Sequence, residues 1–170
     1  QSCALFIDGD LQFDSRDERI YHECLALPAL ALVEKRCLKP LSVLIVGGGD
    51  GLTAREVLKS SSVVRIDLVD YSQEVVSLGK EAFAALNEGS LQAKRLHLHI
   101  EDAWTYVERK LAEQATYDLI ICDLTVPADL EGARFHTIEW YERLSKLAGE
   151  CGLLAVNGVS PWATARAFWS

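Results

Sequence analysis

Residues 43 to 58 read VLIVGGGDGLTAREVL, an apolar run, a cluster of glycines and then a helical pattern. That succession is how a nucleotide-binding β-turn-α unit begins, and it commits the chain to a strand, a tight turn and a helix packed back on the strand. From Ser42 onward the same alternation continues, which predicts a mostly parallel sheet with helices on both faces, a Rossmann-like α/β fold. The strands read as Ser42 to Val46, Val63 to Val69, Leu96 to Ile100, Tyr117 to Cys122 and Gly152 to Val156. Helical spacing recurs between them in Val75, Gly79, Ala82 and Leu86, in Trp104, Val107 and Leu111, and in Ile138, Tyr141 and Leu144.

Ahead of this unit, Leu5 to Ile7 and Leu11 to Phe13 flank Asp8-Gly9-Asp10, as in a short β-hairpin. Ser15-Arg16-Asp17-Glu18 reads as a capping box, Ser15 at the N-cap and Glu18 three residues on, opening a helix with Tyr21, His22 and Glu23. Pro28 and Pro40 punctuate the stretch between this opening and the first parallel strand. The expected division is a hairpin and lead-in helix over 1–38, the end of a small β region, and a nucleoside-binding catalytic domain over 39–170. Position 1 is not Met, and Ser160-Pro161 look like the start of a further helix, so a longer protein cut at both ends is expected.

Strand ends are where open sheets of this type bind ligands. The first parallel strand runs into Gly47, Gly49, Asp50 and Gly51, the second into Asp70, the third into Glu101-Asp102 and the fourth into Asp123. One Asp at such a junction is often only a helix N-cap. Four strands in succession ending in acid point further. Asp70 stands twenty positions after Asp50, placed to accept hydrogen bonds from both hydroxyls of a ribose. Asp102 is placed to accept one from an adenine amino group. Together with the glycine turn they describe a nucleoside site.

The acid inside the turn narrows the ligand. Glycine turns of this kind present free N–H groups to something anionic, yet Asp50 would repel a diphosphate at close range and disfavours NAD. The carboxylate of S-adenosylmethionine would also lie near it. Decarboxylated S-adenosylmethionine, a sulfonium with a primary ammonium, suits it. The 170 residues carry 17 basic and 25 acidic side chains, a net charge of −8, which disfavours a nucleic-acid partner and welcomes a cation. No apolar run reaches the roughly 18 to 20 residues of a membrane span, so a cytoplasmic protein without a membrane partner is expected. The five cysteines lack CxxC spacing and predict neither a disulfide framework nor a zinc site.

The sequence resembles the polyamine aminopropyltransferases, the spermidine and spermine synthases. The likeness covers nearly the whole chain through IDGDLQFDSRDERIYHE (7 to 23), VLIVGGGDGLTAREVL, LVDYSQEVV (68 to 76), LHIEDAWTYV (98 to 107), YDLIICDLTVP (117 to 127) and NGVSPW (157 to 162). The first stretch is the specific one, because methyltransferases share the glycine turn but lack the hairpin and helix. The resemblance implies that Asp50 holds the aminopropyl ammonium, Asp70 the ribose and Asp102 the adenine, with Gln12 and His22 lining that pocket. Tyr21 and Asp123 would handle the attacking amine, Asp123 as proton acceptor. It also implies a homodimer, no tightly bound cofactor, decarboxylated S-adenosylmethionine as co-substrate and a small polyamine as acceptor. The alternatives are a methyltransferase using intact S-adenosylmethionine and a non-catalytic nucleoside- or polyamine-binding module.

The chain departs from the family pattern in places. Spermidine synthases usually carry Asp-Ser-Ser-Asp-Pro after the fourth strand, where this chain has Asp123-Leu124-Thr125-Val126-Pro127. Val126 cannot grip an ammonium, and Asp-Leu-Thr looks more like spermine synthases. Asp70 stands where Glu is usual, Ser72 for Asp and Glu101 for Gly. His97 and His99 share one side of a strand without the partners of a metal site. His136 reads as a surface or capping residue. Cys122, Trp104, Trp140 and Trp162 read as core packing, and helix position alone would give Tyr21 and His22 the same role.

Overall fold

The computed structural model describes residues 2–7, 9–125, 127 and 130–157. Asp8, Val126, Ser160-Pro161 and Trp162, to which expectations were attached, lie outside them. Strands β1 (Ala4–Ile7) and β2 (Asp10–Asp14) form an antiparallel hairpin. Helix α1 (Glu18–Arg36) leads into a five-stranded parallel sheet of β3 (Leu41–Gly47), β4 (Val63–Asp70), β5 (Leu96–Ile100), β6 (Tyr117–Asp123) and β7 (Ala148–Val156), ordered β5-β4-β3-β6-β7. Helices α2 (Leu52–Leu58), α3 (Gln73–Lys80), α4 (Ala103–Ala112), the short α5 (Leu130–Ala133) and α6 (Ile138–Leu147) lie between the strands. Among the described residues no helix is long and apolar enough to cross a membrane.

Side chains alternate along a strand, and the sheet is apolar on both faces. Val43, Ile45, Leu119 and Ile121 are buried in one cluster with Ala26, Leu30 and Val33 of α1. Their neighbours Leu44, Val46 and Ile120 are buried on the other face with Tyr106 of α4 and Trp140 and Leu144 of α6. Helix α1 therefore belongs to the same packed body as the sheet. It runs unbroken through Pro28, where a proline was expected to punctuate; the packed face of Ala26, Leu30 and Val33 compensates for the missing N–H.

Three further local expectations are corrected. Helix α1 starts at Glu18, with Asp17 at its N-cap and no side-chain cap bond. Ser15 instead extends the hairpin, its Oγ accepting from the Cys3 N–H at 2.9 Å, while the Glu18 carboxylate is drawn into a buried ion pair with Arg55. Helix α3 ends at Lys80, and Ala82 and Leu86 lie in turns that carry Phe83 against Phe13. On α6 the buried residues are Trp140, Leu144 and Leu147, whereas Ile138 is 76% exposed.

Candidate active site

The strand order reverses between β3 and β6, and the two strands meet at their carboxyl ends with Gly47 opposite Asp123. There is no room for a side chain on Gly47: a Cβ would lie 2.1 Å from the Asp123 carbonyl oxygen, and φ is +79°. The glycine turn is thus pressed against the backbone that carries the fourth acid.

Two hydroxyls from different helices hold the Asp123 carboxylate. Tyr21 Oη of α1 donates to Oδ1 at 2.8 Å, and Thr53 Oγ1 of α2 donates to Oδ2 at 2.6 Å. A carboxylate offers about four lone-pair positions, so capacity remains for a cationic N–H. Burial, with the neighbouring Asp123 charge, pushes the Tyr21 phenol above its ordinary range. The phenol is thus held in its neutral form, as the donor in its bond to Asp123.

Asp50 projects from the turn with the Leu52 N–H donating to its Oδ1 at 2.8 Å. Burial first, then the charge of Asp123, push its carboxyl up to about 7; the Leu52 N–H and the His22 ring act in the opposite direction. A carboxyl poised there gains from any cation that arrives beside it. The turn is held from behind by Asn87, whose Nδ2 donates at 2.7 Å to the Asp50 carbonyl and at 2.7 Å to the Gly79 carbonyl.

Asp70 closes the far side of the turn. Its Oδ2 accepts from the Gly49 N–H and its Oδ1 from the Ser72 N–H, both at 2.8 Å. Burial raises its carboxyl above the ordinary value, against the pull of those two backbone bonds. A Cβ on Gly49 would lie 2.6 Å from Asp70 Oδ2. Gly51, the N-cap of α2, has a φ of +83°.

Asp102 has the simpler role of an N-cap on α4. Its Oδ1 accepts from the Thr105 N–H at 3.0 Å and from the Thr105 hydroxyl at 3.1 Å. Its Oδ2 pairs with Arg134, which follows α5. Gln12 donates to the Asp10 carbonyl at 3.2 Å, and Gln12, Tyr21 and His22 line one open pocket between β2 and α1. His22 is buried, its Nδ1 2.7 Å from the Glu18 carbonyl oxygen. A carbonyl can only accept, so Nδ1 carries the proton.

The structure thus brings Tyr21, Asp123 and the glycine turn together, fastens Asp70 to that turn, and leaves Asp102 capping α4. Thr53 and Asn87 are added by the structure. Thr53 sits where the sequence signals only helix and Asn87 just past an expected one, and their contacts with Asp123 and Asp50 are not local. Of the discounted residues, Cys122 and Trp140 are buried; burial pushes the Cys122 thiol up to about 12, and Trp104 stacks on Trp140. His99 approaches Asp67 at 3.4 Å, and His136 is exposed. The five cysteines are free, and among the described residues no group of three or more His, Cys, Asp or Glu could hold a metal ion.

The sequence model of the spermine/spermidine synthase domain matches residues 18–169. The chain belongs to that family. It is 38% identical to a polyamine aminopropyltransferase of Prochlorococcus marinus strain MED4, over 93% of this chain and 53% of the relative. It is 35% identical to a polyamine aminopropyltransferase of Mycobacterium tuberculosis, over 97% of this chain and 30% of the relative. The spermidine synthase of Thermotoga maritima superposes with a TM-score of 0.83 at 28% identity, covering 97% of this chain and 53% of that one. A spermidine synthase in complex with the transition state analogue AdoDATO superposes with a TM-score of 0.86 at 28% identity, covering 97% and 54%. This spermine/spermidine synthase domain therefore spans about half the length of relatives such as the Prochlorococcus enzyme.

Proposed function

We propose that the protein transfers an aminopropyl group from decarboxylated S-adenosylmethionine to a di- or polyamine, releasing methylthioadenosine. The observation that carries this reading is the pair of carboxylates at the switch point, Asp50 in the turn and Asp123 opposite it, the latter held by Tyr21 and Thr53. Two acids flanking a glycine turn suit a ligand with cationic groups and no phosphate.

In this reading Gly47, Gly49 and Gly51 shape the nucleoside bed, Asp50 pairs with the aminopropyl ammonium and Asp70 accepts from the ribose. Asp102 accepts from the adenine amino group, sharing its carboxylate with Arg134, while Gln12 and His22 line the pocket. The acceptor nitrogen gives up a proton to Asp123 and attacks the methylene carbon next to sulfur. The new C–N bond forms as the C–S bond breaks, and its electron pair returns to sulfur, leaving a neutral thioether. Positioning supplies most of the rate in such a displacement, with proton acceptance by Asp123 adding to it.

The net charge of −8 supports a polycationic acceptor over a nucleic acid. A homodimer, which the family resemblance implies, and a cytoplasmic location, expected from the absence of a long apolar run, complete the reading; sedimentation of the full-length protein checks the dimer. The reaction is tested by incubating the full-length protein with decarboxylated S-adenosylmethionine and putrescine, cadaverine, agmatine or spermidine. Methylthioadenosine release with at least one acceptor is expected, and none with any of them would favour a binding module. Calorimetry should show tighter binding of the decarboxylated form than of S-adenosylmethionine, and the reverse order would favour a methyltransferase.

A further inference from the structure

Beneath the site lies a buried ionic cluster that the reaction does not use. Arg55 of α2 is 2% exposed, and it donates from Nη1 and Nη2 to the two oxygens of Glu18 at 2.9 Å each. Its Nε donates to Glu56 at 2.7 Å and its Nη1 also to the Leu86 carbonyl at 2.8 Å. Glu18 Oε2 in turn accepts from His22 Nδ1 at 3.0 Å. One guanidinium thus ties together the first turn of α1, the helix after the glycine turn, and the segment whose Asn87 holds the Asp50 carbonyl.

Removing such charges from water is costly, and apolar side chains of similar volume often stabilise a fold as well or better. The cluster is therefore better explained by geometry than by stability. A planar fork fixes the distance and the rotation between two helices in a way that an apolar contact does not. The two helices it fixes carry Tyr21 and Thr53, the two donors on Asp123.

We propose that Arg55 is a positioning residue for aminopropyl transfer: through its fork on Glu18 it sets α1 against the glycine turn so that Tyr21, Thr53 and Asp123 meet. This rests on the reaction proposed above. Arg55→Lys keeps the charge but cannot bridge both Glu18 oxygens and the Leu86 carbonyl at once.

The test compares the full-length protein with its Arg55→Lys variant, reading methylthioadenosine release and, by NMR, the proton on His22 Nδ1. Expected are a fall in kcat of about 30-fold, a KM for decarboxylated S-adenosylmethionine changed less than about threefold, and a shifted or lost His22 proton signal. A purely structural role would lower thermal stability while leaving kcat and the His22 signal of the folded fraction as they were, and that outcome overturns the proposal. Should Arg55→Lys not fold, Glu18→Gln, which keeps the shape but discharges the fork, is read by kcat against KM alone, because Glu18 touches His22 directly; an unchanged kcat overturns the proposal. If the unaltered protein releases no methylthioadenosine, the reaction proposed above fails and with it the catalytic part of this role; the His22 signal then reads only whether Arg55 sets α1 against the glycine turn, and an unchanged signal overturns that too.

Discussion

Tyr21 and Asp123 stand 102 positions apart in the sequence and share a hydrogen bond of 2.8 Å. The bond joins a helix that precedes the sheet to the last residue of its fourth strand in chain order. Asp123 is one of four acids at the carboxyl ends of consecutive strands, and its donor Tyr21 reaches it only because Ala26, Leu30 and Val33 seat α1 on the sheet.

Tyr21→Phe removes that donor and little packing, since Tyr21 is 40% exposed. A hydrogen bond to a charged group contributes about 1.5–3 kcal/mol. Steady-state kinetics should show kcat lower by about tenfold or more, with methylthioadenosine affinity unchanged.

In the proposed reaction Asp123 accepts the proton, and Asp123→Asn keeps the side chain's shape while removing that capacity. Turnover should fall by about 100-fold or more, while calorimetry finds the affinity for methylthioadenosine retained. An unimpaired variant would place the proton acceptor on another group.

Asp50 carries a pH-dependent cost. Its carboxyl rises from 3.8 to about 7 on folding, so the native state holds the proton more tightly between those values. The stability this gives is complete below the unfolded value and is lost as pH rises through about 7. Asp50→Asn, still able to accept from the Leu52 N–H, should raise thermal stability at pH 8 by about 1–3 kcal/mol. The gain should vanish near pH 4, and a constant gain at all pH values would contradict the assignment.

Gly49→Ala places a methyl group against a carboxylate that cannot retreat, because both Asp70 oxygens are bound to backbone N–H groups. With the Cβ 2.6 Å from Oδ2, chemical denaturation should register a loss of about 1–3 kcal/mol. Methylthioadenosine binding should weaken in parallel.

The central strands β3 and β6 were legible because they are buried on both faces and read as nearly continuous apolar runs, and the edge strand β5 because its apolar residues alternate with His97 and His99. Their observed limits differ from the expected ones by a residue at most for β4 to β6, and β3 gains one at each end. Strand β7 begins four residues before the expected Gly152. Ala148 and Gly149 carry no strand signal, and the early start comes from the pairing of Ala148 with Tyr117. The capping box failed because a local cap bond was outcompeted by a buried guanidinium 37 residues away. The acids of the site could be read from the sequence since a strand end is a local property. Thr53 and Asn87 could not: their contacts depend on how helices and turns dock, which no periodicity records.

Asp70 and Asp123 end β4 and β6, Asp50 stands in the turn after β3 and Asp102 caps α4 after β5, so four acids share one rim of a chain of net charge −8. On the proposed reading such a rim favours a polycation over a phosphorylated nucleotide already during diffusion, an advantage that fades as ionic strength rises.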